Sequence, residues 1–232
     1  MKDVSSEQDC HDLQCELNAL CTYCLDNQLY LNLDKCQTIT FTRNINKIVY
    51  QYKLDDTVLS RVDNIKDLGV IFDSKLIFDY HIDQLANSCN KILGFVTRKS
   101  KQFTNLKTCT ILYNSYIYSK LNFASVVWNP KYSVYITRLE KIQNRFLKYI
   151  SFKFNFRLTP RNPDNYLLRL TQFGFISLES RRKISDTLFM YKLLNNIYNS
   201  PDLLSSITFE FRTVLIETLK CSIYHFVIPI AL

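Results

Sequence analysis

The feature that most constrains the fold is a change in hydrophobic periodicity near residue 78. Beyond it, apolar residues recur every three or four positions, which is typical of amphipathic helices. Four such helices are predicted, around residues 82–96, 106–117, 136–150 and 184–198. Only 3 glycines and 5 prolines occur in 232 residues, which disfavours a loop-rich all-β fold. The second part of the chain is therefore predicted to be a helical bundle.

The residues before position 78 show a mixed pattern. Helical spacing over residues 7–27 follows Ser6 and Asp9, which resemble a capping box with Asp in place of Glu. Alternating or β-branched segments then predict strands at 37–42, 48–52 and 68–72. The sequence as a whole predicts an α+β fold, with an N-terminal helix and small antiparallel sheet followed by a mainly α-helical bundle.

Charge is distributed unevenly along the chain. The net charge is −5 over residues 1–79, +5 over 80–130, +9 over 131–192 and −1 over 193–232, which together give the total of +8. A basic balance suits a nucleic-acid or acidic-membrane partner. The asymmetry indicates two regions with different roles.

Three basic clusters lie in the second region. Arg138, Lys141, Arg145 and Lys148 are spaced by three, four and three residues, so they form one stripe beside the apolar stripe of their helix. Such a stripe could follow a phosphate backbone. The other two clusters consist of Arg98, Lys99 and Lys101, and of Arg181, Arg182 and Lys183. The alternative for each cluster is a solvated helix face.

Motifs for other chemistry receive little support. Cys21 and Cys24 form a CxxC without a second pair at zinc-site spacing, and both lie on the apolar stripe of the first helix, so core packing is favoured. The Asp55–Asp56 pair could hold metal ions, but a hairpin turn is favoured at that position. The sequence contains no HExxH, no GxSxG and no Gly-rich phosphate loop. No metal or cofactor site is therefore predicted in this chain.

The sequence also bears on the cellular environment. The N-terminal residues are polar and acidic, which argues against a signal peptide, and no run of about 18 apolar residues is present. The eight cysteines are irregularly spaced and are interpreted as reduced thiols. The expectation is an intracellular chain, in cytoplasm or nucleus, that is not secreted and has no membrane partner.

The order of five short motifs resembles the region downstream of the active site in reverse transcriptases of non-LTR retrotransposons, especially jockey-like elements. Residues 31–36 (LNLDKC) and the strand after them are similar to motif D of those RNA-directed DNA polymerases. Residues 65–73 (IKDLGVIFD) resemble the primer-grip hairpin. Residues 124–130 (ASVVWNP) and 142–147 (IQNRFL) resemble the thumb, and 177–182 (SLESRR) the segment after it.

This resemblance implies a set of roles and domains. Residues 1–77 would be the end of the palm with the primer grip, 78–206 a thumb-like and post-thumb region, and 207–232 a divergent tail. Lys35 would be the motif D proton donor, and Leu68, Gly69 and Val70 would contact the primer terminus. The basic clusters would hold an RNA or RNA–DNA template–primer duplex.

The resemblance also implies what the chain lacks. In the family, two Mg²⁺ ions are held by carboxylates that precede motif D, and this chain begins just after the place where they would end. The expectation is a truncated copy of a mobile element, without catalytic residues or its own cofactor, that retains nucleic-acid binding. The alternatives are a helical protein-interaction module with aromatic faces at Tyr113, Tyr116 and Tyr118, a non-functional relic, and a partial gene model.

Overall fold

A computed structural model of the chain describes residues 2–44, 48–156, 166–207 and 224–228. The contacts divide the chain into two compact units. Unit one comprises Met1–Phe78 with Val214–Leu232, and unit two comprises Asp79–Thr213. Unit one joins a long helix to short strands and unit two is helical, so the predicted α+β class is confirmed. The functional domains implied by the resemblance stay a prediction.

Within the described residues, unit one contains one α-helix and eight short strands. The helix is α1 (Glu7–Asp26), and the strands are β1 (Lys2–Asp3), β2 (Gln37–Phe41), β3 (Lys53–Leu54), β4 (Thr57–Val58), β5 (Ser60–Arg61), β6 (Asn64–Asp67), β7 (Val70–Asp73) and β8 (Tyr224–Ile228). The predicted capping box is confirmed, because the Ser6 hydroxyl accepts from the Asp9 amide at 3.3 Å and the Asp9 carboxylate accepts from the Ser6 amide at 2.8 Å. The Asp9 carboxylate also accepts from the Ser6 hydroxyl at 2.8 Å and from the amide and hydroxyl of Ser5, and these donors, the Ser6 hydroxyl first, lower its pKa to about 2.

The strands form one four-stranded sheet and two hairpins. The order in the sheet is β1-β8-β2-β5, and β2 pairs with β5 in parallel, which differs from the antiparallel sheet predicted. Hairpin β3–β4 turns at Asp55 and Asp56, with Asp55 at φ 52°, so the turn favoured from the sequence is confirmed. Hairpin β6–β7 turns at Leu68 and Gly69, with φ values of 44° and 89°.

The predicted strand over residues 48–52 is wrong. The chain there packs against α1 through Tyr52, which is buried, and Tyr50, whose ring lies edge-on to His11 at 5.2 Å. Just beyond it, Gln14 of α1 accepts from the Lys53 amide at 2.9 Å and donates to the Lys53 carbonyl at 2.8 Å. A helix side chain therefore occupies backbone groups that a neighbouring strand would otherwise use.

Unit two is a bundle of helices. They are α2 (Asp79–Lys99), α3 (Leu106–Tyr113), α4 (Ser119–Asn122), α5 (Ser125–Trp128), α6 (Ser133–Lys153), α7 (Tyr166–Phe173), α8 (Leu178–Leu194) and α9 (Pro201–Ser205). A 3₁₀ turn, Ser100–Gln102, follows α2, and a π-helical segment, Asn114–Tyr118, joins α3 to α4. The four predicted helices correspond to α2, α3 with the π segment, α6 and α8. Helices α4, α5, α7 and α9 were not predicted.

Aromatic side chains fill the centre of unit two. The rings of Tyr113 and Phe146 are stacked at 4.2 Å, and Phe175 meets both edge-on. Trp128 is buried and donates its indole N–H to the Phe123 carbonyl at 2.8 Å. Tyr113 therefore belongs to the core and not to an exposed aromatic face as the interaction-module alternative assumed.

Helix α8 departs from the predicted burial pattern. Ser177 caps it as predicted, accepting from the Ser180 amide at 3.1 Å. The apolar stripe of this segment is nevertheless exposed. Its members are Ile184, Leu188, Tyr191, Leu194 and Tyr198. The side chains that anchor α8 to the bundle are those of Leu178, Arg182 and Leu193.

Two other predictions concern segments that the structure does not describe or describes only in part. The loop predicted over Pro160–Pro163 lies outside the described residues, as does most of the tail after Arg212. Within the described ranges, the helices are too short or too polar to cross a membrane.

Candidate nucleic-acid interface

Helices α2 and α6 run parallel to each other along the basic part of unit two. Arg138 forms an ion pair with Asp83, and seven residues later Arg145 donates to the Asn90 side-chain oxygen at 2.8 Å. Towards the C-terminal ends, the hydroxyls of Ser100 and Tyr149 are hydrogen-bonded at 2.9 Å. Because paired residues advance together on both helices, the C-termini of α2 and α6 lie at the same end.

The basic ridge consists of Arg138, Lys141, Arg145 and Lys148, and it is separate from the buried face of α6. Lys141, Arg145 and Lys148 are exposed and Arg138 is partly so, whereas the apolar residues between them are buried. The predicted displacement of the basic stripe from the apolar stripe is confirmed. On α2, Asp83 pairs with Arg138 and Asn90 accepts from Arg145, and of these two partners Asp83 carries a negative charge.

The cluster of Arg98, Lys99 and Lys101 lies where α2 ends. All three side chains are exposed. Lys153 of α6 reaches the same place, because its ammonium group donates to the Ser100 carbonyl. The helix pairing therefore brings this cluster to the C-terminal end of α6, at which the basic ridge also ends.

The third predicted cluster is dispersed around α8. The Arg181 guanidinium stacks on the Tyr118 ring at 4.6 Å and donates to its hydroxyl at 2.7 Å. Lys183 pairs with Glu179 at 2.8 Å in an exposed i,i+4 arrangement. Arg182 is only 1% exposed, so its inclusion in a surface cluster is wrong. Consecutive residues of a helix point about 100° apart, so the three cannot share one face.

Burial of Arg182 is accommodated by Asn129 and Asp186. Its Nε donates to the Asn129 side-chain oxygen at 3.1 Å, and the Asn129 amide donates to Asp186 at 2.6 Å. Burial lowers the pKa of Arg182, while the nearby carboxylates, Glu140 foremost, act in the opposite direction. Two motifs that carried the resemblance, WNP and SLESRR, thus meet in a buried polar contact.

A second buried network joins the thumb-like motif at residues 142–147 to its surroundings. Gln143 is fully buried; it accepts from the Tyr113 hydroxyl at 3.2 Å and donates to the Ile176 carbonyl at 2.9 Å and the Tyr166 hydroxyl at 3.1 Å. Glu140 accepts from Tyr166 and from the Glu179 amide in the first turn of α8. These roles of Gln143 and Glu140 were not predicted from the sequence. A polar residue within an apolar helical stripe is the signal that could have done so.

The residues assigned to motif D and the primer grip lie in unit one. Lys35 is exposed at the end of the 3₁₀ turn Leu33–Lys35. Leu68 stands at the tip of the β6–β7 hairpin, 86% exposed, while Val70 is buried beneath it. A leucine at positive φ is strained, and such strain tends to occur at functional positions. This placement gives the tip an exposed apolar side chain on a two-residue turn.

The cysteines predicted to be core residues are buried. Cys21 and Cys24 pack in unit one, and burial raises the pKa of the Cys21 thiol. Across the described part of the chain, the His, Cys, Asp and Glu side chains form no group of three or more that could hold a metal ion.

Comparisons with known proteins assign no family. No protein-family model matches the chain, and no solved structure matches it. An uncharacterized protein of Caenorhabditis elegans is 29% identical over 144 residues, which is 60% of this chain and 68% of that protein. The resemblance to reverse transcriptases therefore stays a prediction that rests on the motifs.

Proposed function

We propose that unit two binds the sugar–phosphate backbone of an RNA–DNA template–primer duplex, as the thumb of a non-LTR reverse transcriptase would. The observation that carries the proposal is the exposed basic ridge on α6. It extends over ten residues, about 15 Å at the rise of an α-helix. A DNA duplex carries roughly one negative charge per 1.7 Å of axis, so this length faces several phosphates.

Contacts of this kind depend on charge and carry little sequence information. Binding should therefore weaken steeply as salt rises, because each phosphate contact releases counterions. Lys141, Arg145 and Lys148 are exposed, whereas the charge of Arg138 is partly offset by its pair with Asp83. The ridge should then act as fewer than four effective charges.

The proposal is tested by changing all four ridge residues to Ala and titrating the full chain with a labelled RNA–DNA duplex across salt. We expect affinity to fall at least tenfold for unrelated sequences alike, and the salt slope to fall by about two to three, since each contact contributes roughly 0.9. The matched control is Lys107→Ala with Lys131→Ala, two exposed lysines outside the predicted clusters. Unchanged affinity and slope in the quadruple variant would refute the proposal.

Asp83 gives a complementary test with the opposite sign. It is the carboxylate beside the ridge, and its pair with Arg138 is solvent-accessible, so it contributes little to stability. Asp83→Asn should leave folding intact and strengthen duplex binding a few-fold at low salt. Weaker binding in this variant would place the duplex away from the ridge.

The remaining part of the proposal concerns unit one and rests on the resemblance. Lys35 and the Leu68–Val70 turn would act beside the primer terminus in a complete polymerase, where carboxylates and Mg²⁺ supply the chemistry. The chain is assigned binding and no catalytic step. Mg²⁺-dependent nucleotide incorporation on primed RNA, above that of a preparation from empty vector, would contradict this assignment.

One observation favours a second candidate, a protein-interaction module. The apolar stripe of α8 is exposed in unit two, and exposed apolar stripes are typical of helix-binding surfaces. This candidate predicts partner binding that is insensitive to salt and no affinity for the duplex. The salt titration therefore distinguishes the two candidates.

A further inference from the structure

An apolar groove of about 500 Å³ lies in unit two beside α2. Its walls come from α2, the segment that follows it, α3 and the π-helical segment. Phe95, Phe103, Leu112 and Tyr116 line it, and Lys91 and Lys99 stand on the α2 side. Phe95 is 55% exposed and Tyr116 58%, so the groove is open along one side. An occupant would need one apolar face and one face suited to water.

The backbone beside the groove is unusual. Tyr116 belongs to the five-residue π-helical segment Asn114–Tyr118. Such segments add a residue to a helical turn and are found frequently at functional sites. Here the inserted turn places Ile117 in the core while Tyr116 stays exposed on the groove. The groove therefore coincides with a local departure from regular helix.

The charged side chains among the residues that line the groove, Lys91 and Lys99, are both cations. Residues 84–139, which include every residue that lines it, contain eight Lys or Arg and no Asp or Glu. Lys91 and Lys99 are eight residues apart on α2, about 12 Å along the axis. Ile92, Phe95 and Val96 lie between them on the groove wall. The surface is thus an apolar strip with a cation at each end.

We propose that this groove binds an amphipathic helix of a partner protein, with apolar residues at i, i+3 or i+4 and i+7 and acidic residues flanking them. Helices that bind grooves present apolar anchors at this spacing. Acidic residues about eight positions apart would meet Lys91 and Lys99. A fatty-acid carboxylate has a charge at one end only, and a nucleobase has polar edges that these apolar walls would leave unpaired. The inference does not depend on the proposed function.

The experiment selects a displayed library of 16-residue helical peptides on the full chain and depletes it on a Phe95→Ser, Tyr116→Ser variant. Both rings are exposed, so this variant is expected to fold, and its circular dichroism checks that. The dissociation constant of the most enriched peptide is then measured by fluorescence anisotropy against Lys91→Glu with Lys99→Glu. Lys107→Glu with Lys131→Glu is the charge-matched control.

We expect the enriched peptides to combine the apolar spacing with Glu or Asp. Their binding should be at least tenfold weaker to the variant with Lys91→Glu and Lys99→Glu. The control variant, with Lys107→Glu and Lys131→Glu, should show no such loss. Replacing the peptide's acids by Lys should restore binding to the reversed variant. The proposal is overturned if no peptide family survives the depletion or if the survivors ignore the charge reversal. It is also overturned if the Ser variant loses affinity for the RNA–DNA duplex while no peptide binds, since the groove would then belong to the nucleic-acid interface.

Discussion

Replacing Gln143 by Leu should destabilise unit two strongly, because Gln143 is a fully buried polar residue with three hydrogen-bond partners. The substitution leaves the Tyr113 hydroxyl and the Ile176 carbonyl without this partner. The Tyr166 hydroxyl keeps its bond to Glu140. A buried polar group left unpaired costs about 1–3 kcal/mol. Tyr113 is fully buried and Ile176 is an exposed residue, so one such group, with side-chain volume roughly conserved, gives an expected loss of about 2 kcal/mol.

The assay uses the chain's single tryptophan, Trp128, which is buried in unit two and reports its unfolding. Urea titrations followed by Trp128 fluorescence should show the loss as a lower midpoint at unchanged slope. In a thermal scan, about 2 kcal/mol corresponds to a fall in Tm of roughly 4–8 °C for a chain of this size. Fluorescence at low urea checks that the variant is folded before it is compared.

A double-mutant cycle with Tyr113→Phe isolates the contact between the two side chains. The Phe variant removes the stranded hydroxyl, so the double variant should be less destabilised than the sum of the single variants by about 1 kcal/mol. The reasoning is refuted if Gln143→Leu lies within about 0.5 kcal/mol of the native chain, which is typical of surface substitutions. Strict additivity in the cycle would refute the assigned partner.

Three further predictions concern other parts of the chain. The pKa of Asp9 is about 2 in the folded chain, against an ordinary value of 3.8. The stability that the ionised carboxylate contributes is therefore complete above about pH 4 and is lost as the pH falls towards 2. Asp9→Asn should remove this pH dependence from urea midpoints measured by circular dichroism. Burial raises the pKa of the Cys89 thiol to about 11, whereas Cys15 is exposed. Iodoacetamide at pH 8 should therefore label Cys15 in the native chain and leave Cys89 unlabelled. Equal labelling of the two cysteines, measured by peptide mass spectrometry, would contradict the burial of Cys89. Leu68 has φ 44°, a conformation that Asn tolerates better than Leu. Leu68→Asn should therefore raise the free energy of unfolding by about 0.5–1 kcal/mol. A lower urea midpoint would show that the leucine side chain contributes more than its strain costs.

Features set by neighbouring residues were predictable from the sequence. The capping box at Ser6 and Asp9 and the turn at Asp55 and Asp56 depend on spacings of a few residues, and both are confirmed. The helix that contains the basic ridge follows from a 3.6-residue period. In each case the local preference and the final structure agree, so a short window of sequence carries the information.

Features set by distant partners were not predictable. Gln14 of α1 bonds both backbone groups of Lys53 from 39 residues away, and no local pattern indicates that contact. The burial of Arg182 depends on Asn129, which lies 53 positions earlier. The groove is likewise formed by segments of α2 and α3 that are separate in sequence. Its lysines are visible in the sequence, but their position at the two ends of one apolar strip is not.

The parallel arrangement of α2 and α6 affects how much of the formal charge a ligand would encounter. The aligned peptide dipoles of a helix place about half a negative charge at its C-terminal end. Two such ends lie side by side here, so together they offset roughly one unit of the positive charge that Arg98, Lys99, Lys101 and Lys153 bring to them. The positive charge that a ligand meets at these helix ends should therefore be nearer three units than the four that the sequence supplies. An anion drawn to this end would be held less tightly than a count of its basic residues indicates.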